Sequence, residues 1–342
     1  MNFFKNKAYK FIFVLIIIFG LVYIIDKVEA NREINPLWIK EFMSSEDNIE
    51  SKNNILQIVL EDIKYNTWEN KINEIKLNIN ESNILGNDEK ELILTIFLEP
   101  KKSIIVVYKK DNNSYKYVGI VDKFFDIQGV QTIPIDKKNR DIIVVREFVD
   151  QMLGAFEQGT YIRAYIWEDE KFEMVLSVIE DYSAYWNEMW DKEQKIDPRW
   201  LRIMDKASIQ WENGPYPVLK ILENQSYAKS TIINSKNMPK EDEYEVISSR
   251  EVLQEYYWSD KYNHFILSEG KNVKTGETIA IIEDLSLSPF ELAGFKLEQY
   301  RIKTQDGKIE IVPKNQIIDI KNPSNIKRDF YNYITYTVKL IY

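Results

Sequence analysis

Cysteine is absent from the 342 residues, and histidine occurs once. Disulfides, thiol nucleophiles and thiolate metal sites are therefore ruled out, as is a cysteine-linked bacterial lipid anchor. The one histidine, His264, stands between Asn263 and Phe265 where a strand is expected to begin. A lone imidazole leaves multi-histidine metal centres and Ser-His-Asp triads short of parts. Glycine is scarce at 11 residues, and no Gly-rich phosphate loop occurs. Positive charge is in deficit: 45 Lys and Arg stand against 54 Asp and Glu, a net charge of −9, with no basic stripe for phosphate binding. No nucleic-acid partner is expected.

Only one long apolar run is present. Phe11 to Ile25 follows Lys5, Lys7 and Lys10 and precedes Asp26, Lys27 and Glu29. Basic residues on its N-terminal side orient such a run with the N-terminus inside, which places the rest of the chain outside the cytoplasm. Its length lies between a long signal core and a short span, so residues 1–30 read as an uncleaved membrane anchor or as a signal peptide cleaved at Ala30. In the second case the protein is secreted. Heavy use of Ile, Lys and Asn resembles the output of an AT-rich bacterial genome.

Residues 31–54 are mostly polar and read as a stalk, with Asn35 capping a short helix that opens on Pro36 and carries Leu37, Trp38, Phe42 and Met43. A folded part begins at the Ile55, Leu56, Ile58, Val59, Leu60 cluster and is expected to run to residue 270. From Lys71 the apolar period becomes two. Four strands are expected around Ile72 to Ile79, Leu92 to Leu98, Ser103 to Tyr108 and Tyr115 to Ile120, the last pair joined by the turn Asp111-Asn112-Asn113-Ser114. Four more span Ile127 to Ile179, and a third set spans Ala207 to Ser268. Tyr165-Ile166-Trp167 followed by Val175-Leu176-Ser177 matches Tyr256-Tyr257-Trp258 followed by Ile266-Leu267-Ser268 at the same separation. Recurrence of a four-stranded unit is the pattern of propeller blades.

Over residues 71–270 the copies resemble FG-GAP or VCBS-type β-propeller repeats. The resemblance rests on Asn87-Asp88-Glu89-Lys90-Glu91-Leu92-Ile93-Leu94 with Val107-Tyr108, and on Asp136-Lys137-Lys138-Asn139-Arg140-Asp141-Ile142-Ile143 with Tyr165-Ile166-Trp167. That family's Asp-rich calcium loop is missing, so bound calcium is not carried over, and three copies imply an open or partial propeller. Residues 271–320 resemble a bacterial Src-homology-3-like barrel, through Tyr300 to Thr304, the turn Gln305-Asp306-Gly307, Lys308 to Val312 and Pro313 with a short helical turn. Ile311 replaces the usual aromatic before Val312-Pro313. Alternation of Tyr331, Tyr333, Thr335 and Thr337 with Ile334, Tyr336, Val338 and Leu340 suggests a final strand within 271–342. The expected fold is thus mostly β: partial propeller-like four-stranded repeats, a small C-terminal β-barrel and one N-terminal transmembrane or signal helix.

Two inserts interrupt the copies. In residues 182–200, Tyr182, Trp186 and Trp190 are spaced by four, which on a helix puts three rings on one face. They form either a ligand platform for glycan rings or a partner, or a face buried on the sheet. Residues 224–244 are polar and read as a surface loop. Glu147 with Asp150, and Glu180 with Asp181, are the carboxylate pairs available for an envelope glycoside or peptidoglycan hydrolase. Repetition without the parts of the common catalytic centres favours instead a non-catalytic binding or scaffolding protein of the cell surface. Its expected partner is a cell-wall component or envelope protein, and no cofactor or metal is expected.

Overall fold

The computed structural model describes residues 33–87, 89–98, 101–135, 140–153, 156–191, 195–212 and 216–320. The Phe11 to Ile25 run and the alternating tail lie outside these. No helix among the described residues is long and apolar enough to cross a membrane.

Helix α1 (Pro36–Ser44) starts as its sequence dictates: Asn35 Oδ1 accepts from the Leu37 N–H at 2.9 Å, and proline occupies the first turn. Helix α2 (Ile49–Asp62) is capped in the same way by Asn48, which accepts from Ser51 N–H at 3.0 Å. Ile39 and Phe42 of α1 join Ile55, Leu56, Val59 and Leu60 of α2 in one buried cluster. Residues from 33 onward are consequently core rather than stalk, because their apolar positions recur at helical spacing and find a sheet to cover.

That sheet is the meander of β1 (Lys76–Ser82), β2 (Glu91–Leu98), β3 (Lys102–Asp111) and β4 (Ser114–Phe124), paired in sequence order. It corresponds to the first expected copy. Leu92, Leu94, Ile96, Ile104, Val106 and Tyr108 face the helices, while Ile93, Ile105 and Val107 face the opposite way. With both faces covered, β2 and β3 read as continuous apolar runs.

The second and third expected copies are one sheet. Strands β5 (Asp126–Pro134), β6 (Asp141–Asp150), β7 (Glu157–Glu168), β8 (Lys171–Asn187), β9 (Arg199–Glu212), β10 (Val218–Ile233), β11 (Tyr244–Ser259) and β12 (His264–Ile266) form a single eight-stranded antiparallel meander. Separate blades fail at the join, where β8 pairs with β9 from Asp181–Lys206 to Asn187–Trp200. The first part of each insert extends a strand: residues 182–187 prolong β8 and 224–233 prolong β10, while 234–243 form a loop and a 3₁₀ turn. The sheet curls, since His264 on β12 donates its Nδ1–H to the Val175 carbonyl on β8. Inside the curl Ile142, Val144, Ile166, Leu219, Ile221, Trp258 and Phe265 share one cluster. Outside it, Ile143, Val145 and Tyr165 cover the face of the first sheet that is turned away from the helices.

The third sheet contains β13 (Ser268–Asn272), β14 (Thr278–Asp284), β15 (Gln299–Lys303), β16 (Ile309–Pro313) and β17 (Ile317–Ile320), in the order β16-β15-β14-β13-β17. The Asp306-Gly307 hairpin forms as the sequence indicates, with Gly307 at φ +87°. A 3₁₀ turn, Lys314–Gln316, leads into β17.

Candidate functional site

The expected aromatic platform is divided by the strand that replaces the helix. Four is an even number, so Tyr182 and Trp186 share a face on β8 as they would on a helix. That face is the inner one. Tyr182 is buried, donates its hydroxyl to Glu157 at 2.9 Å and lies 6.3 Å from the Phe290 ring. Trp186 stacks on Tyr227 at 6.2 Å. Trp190 lies past the strand end in the 3₁₀ turn Glu188–Trp190, half exposed, against Phe156 at 5.0 Å and Trp200 at 5.2 Å. Two of the rings are packing, and the third belongs to a different cluster.

A polar layer crosses the inner face of the curled sheet. Along β10 the inward positions run Leu219, Ile221, Glu223, Gln225, Tyr227, so two polar residues interrupt an apolar row. Gln225 Nε2 shares its two hydrogens among Asp205 and Glu223, each at 2.9 Å, and the Leu287 carbonyl at 2.8 Å. Arg250 donates to Gln225 Oε1 at 2.7 Å and to the Ser288 carbonyl at 2.7 Å. Gln254 donates to Glu223 at 2.9 Å. Burial pushes both carboxyls up, Asp205 to about 6 and Glu223 to about 8, because the ionised forms lose water, with Asp181 repelling Asp205 and Asp205 repelling Glu223. This layer binds the segment 285–288 rather than opening to solvent. Sequence parity along β10 carried the signal for it.

A groove opens where the curled sheet meets the third sheet. Its volume is about 320 Å³, and Met174, Leu176, Phe265, Ile282, Ile309 and Ile311 supply its apolar lining, with Glu283, Arg301 and Glu310 around them. Two outermost strands border it: β12 ends the eight-stranded sheet and β16 ends the five-stranded one. Ile309 and Ile311 are half exposed there, while Val312 on the same strand is buried. His264, which also lines the groove, is buried rather than solvent-facing, and desolvation lowers its pKa to about 4. It is neutral at physiological pH, with Nδ1 committed to Val175.

Three of the four carboxylates in the pairs considered from sequence are held in other contacts. Glu147 accepts from the Phe125 N–H at 2.7 Å and from Arg163, whereas Asp150, three residues along the same strand, pairs with Lys101 at 2.9 Å. Odd spacing on a strand sends them to opposite faces. Glu180 pairs with Arg146. Among the described residues no group of three or more His, Asp or Glu could hold a metal ion. No family model and no curated protein matches the chain.

Proposed function

We propose that this chain is a non-catalytic binding or scaffolding protein of a bacterial cell surface, anchored through Phe11 to Ile25 and facing out of the cytoplasm. Its partner is an envelope protein that lays an extended segment along the free edge of β16. One observation carries the reading: Ile309 and Ile311, two residues apart on that edge strand, stand half exposed beside an apolar groove. Large apolar side chains at alternate positions on an edge that is unpaired among the described residues suit an added strand, which takes main-chain hydrogen bonds for affinity and pockets for specificity. The Src-homology-3-like resemblance is supported by the strand order and the 3₁₀ turn before β17. The propeller-like reading keeps support only from the meander β1 to β4.

A photo-crosslinking residue in place of Ile311, in the full chain in cells, tests this. The expected product is a crosslink to one envelope protein, mapped to a segment of alternating apolar residues and lost with Ile309→Asp. No crosslinked protein, or release of soluble glycan from isolated walls by the purified chain, overturns the reading. The second result restores the hydrolase.

A further inference from the structure

A second cleft, which shares no lining residue with that groove, opens where the first and second sheets part. Strand β1 is the outermost strand of the first sheet, and β5 that of the second. Their ends are pinned: the Ser82 hydroxyl bonds Thr132 Oγ1 at 2.8 Å and the Asp141 carboxylate. Away from the pin a cavity of about 340 Å³ opens, lined by Glu46, Asn78, Asn80, Thr95, Phe97 and Gln128 and by the chain from Ile127 to Val130. That volume lies at the small end of ligand pockets, which run about 300–1,000 Å³.

Asn78, Asn80, Gln128 and Glu46 are exposed around this opening, and the one buried polar residue that lines it is Thr95. Asn78 pairs with Thr95, and Asn80 with Ile93, so these side chains share the sheet face that carries Ile93, Ile105 and Val107 against the second sheet. That face also carries Ser82, Ser103 and Asp122, of which Ser82 and Asp122 have side-chain hydrogen-bond partners in the second sheet. Thr95 is 1% exposed, and its Oγ1 has no hydrogen-bond partner. A buried hydroxyl left unpaired costs about 1–3 kcal/mol, and valine would fill the same space without that cost. Thr95 lines the cavity, so a ligand there would supply the missing partner.

We propose that this cleft binds a neutral saccharide. Asn78, Asn80 and Gln128 each carry an amide that both donates and accepts, Thr95 does the same with its hydroxyl, and Glu46 accepts. The Gln128 carbonyl oxygen is already taken by Arg146, which leaves its NH₂ to donate. Phe97 offers an apolar ring. Sugar hydroxyls donate and accept in the same alternating way, and the C–H face of a pyranose suits an aromatic surface. No cationic side chain lines the cavity, which disfavours phosphate or carboxylate ligands, and its single carboxylate disfavours a metal. An inserted peptide strand needs roughly 4.8 Å from each flanking edge over several residues. The Ser82, Thr132 and Asp141 pin denies it that spacing.

Calorimetric titration of the full chain with two probes, di-N-acetylglucosamine and maltose, and with tri-alanine as a peptide control, decides the matter. At least one disaccharide is expected to bind, with affinity falling ~10-fold or more in both Thr95→Val and Asn78→Ala. Ile311→Asp, in the other groove, leaves saccharide binding unchanged. Without ligand, Thr95→Val unfolds at or above the wild-type midpoint; should it fail to fold, Asn80→Ala takes its place. No binding of either saccharide up to roughly 20 mM, affinity unchanged in both variants, or displacement by tri-alanine overturns the proposal.

Discussion

Asp205 and Glu223 make the protein's stability depend on pH in an unusual direction. Each carboxyl is raised above its ordinary value, to about 6 and about 8, by burial in the layer that also holds Gln225, Gln254 and Arg250, with Asp181 close to Asp205. The unfolded chain releases these protons near pH 4, whereas the folded chain keeps them until about pH 6 and about pH 8. The folded state therefore binds more protons between these values, and its stability from this source falls as pH rises through the window and levels off above it. The unfolding temperature is expected to drop by roughly 5 °C or more between pH 5 and pH 9. Glu223→Gln keeps an acceptor for Gln254 and removes the upper part of that dependence, so a scan of both proteins against pH checks the assignment. A wild-type profile no steeper than that of the variant contradicts it. At this scale little was readable: Gln225 falls in the stretch that reads as a surface loop, so its inward parity with Glu223 emerges only once β10 continues through it, and the carbonyl that meets it comes some 60 residues later, at Leu287.

Whole elements were legible wherever local chemistry and periodicity agreed. Asn35 before Pro36, and Asp306-Gly307 between alternating strands, acted as punctuation that tertiary packing did not override. The inserts were misread for a definite reason. Spacing by four satisfies both a helix and a strand, and in residues 182–187 the pairing of β8 with β9 selects the strand. Residues 224–233 are polar because one face of that long strand meets water, which resembles a loop when read without its partners. The third sheet depends on one close approach. A Cβ added at Gly270 on β13 would lie 2.5 Å from Ile317 Cγ2 on β17 and 3.2 Å from Ile279 Cδ1 on β14. Gly270→Ala should destabilise the fold by about 1–3 kcal/mol, read from the shift of the urea midpoint at unchanged slope. A midpoint equal to wild type would mean that Ile317 can move aside at no cost.

Across the whole molecule, three sheets share covered faces instead of standing as beads on a chain. The first sheet is closed by α1 and α2 on one side and by β6 and β7 on the other, while Phe290, Leu292 and Ala293 pack against Tyr182, Leu201, Ile203 and Tyr227 of the curled sheet. Stacked blades would allow partial unfolding from one end. This arrangement instead predicts coincident transitions in tryptophan fluorescence and far-UV circular dichroism as urea is raised. Two separated transitions would show that the sheets are independent units. The strand periodicity indicated most of the strands but not how they join across the inserts, because that is decided by pairings between residues distant along the chain.

The cover over the curled sheet is supplied late. Residues 285–293 lie beyond the last strand of the surface they close, so a chain emerging N-terminus first presents all eight strands before their cover exists. During that interval Tyr182, Leu201, Ile203 and Tyr227 remain open to chance association. Asp205, Glu223, Gln225 and Arg250 then act as a wet band across the waiting surface, breaking the apolar area into two smaller parts until the chain's own later segment arrives.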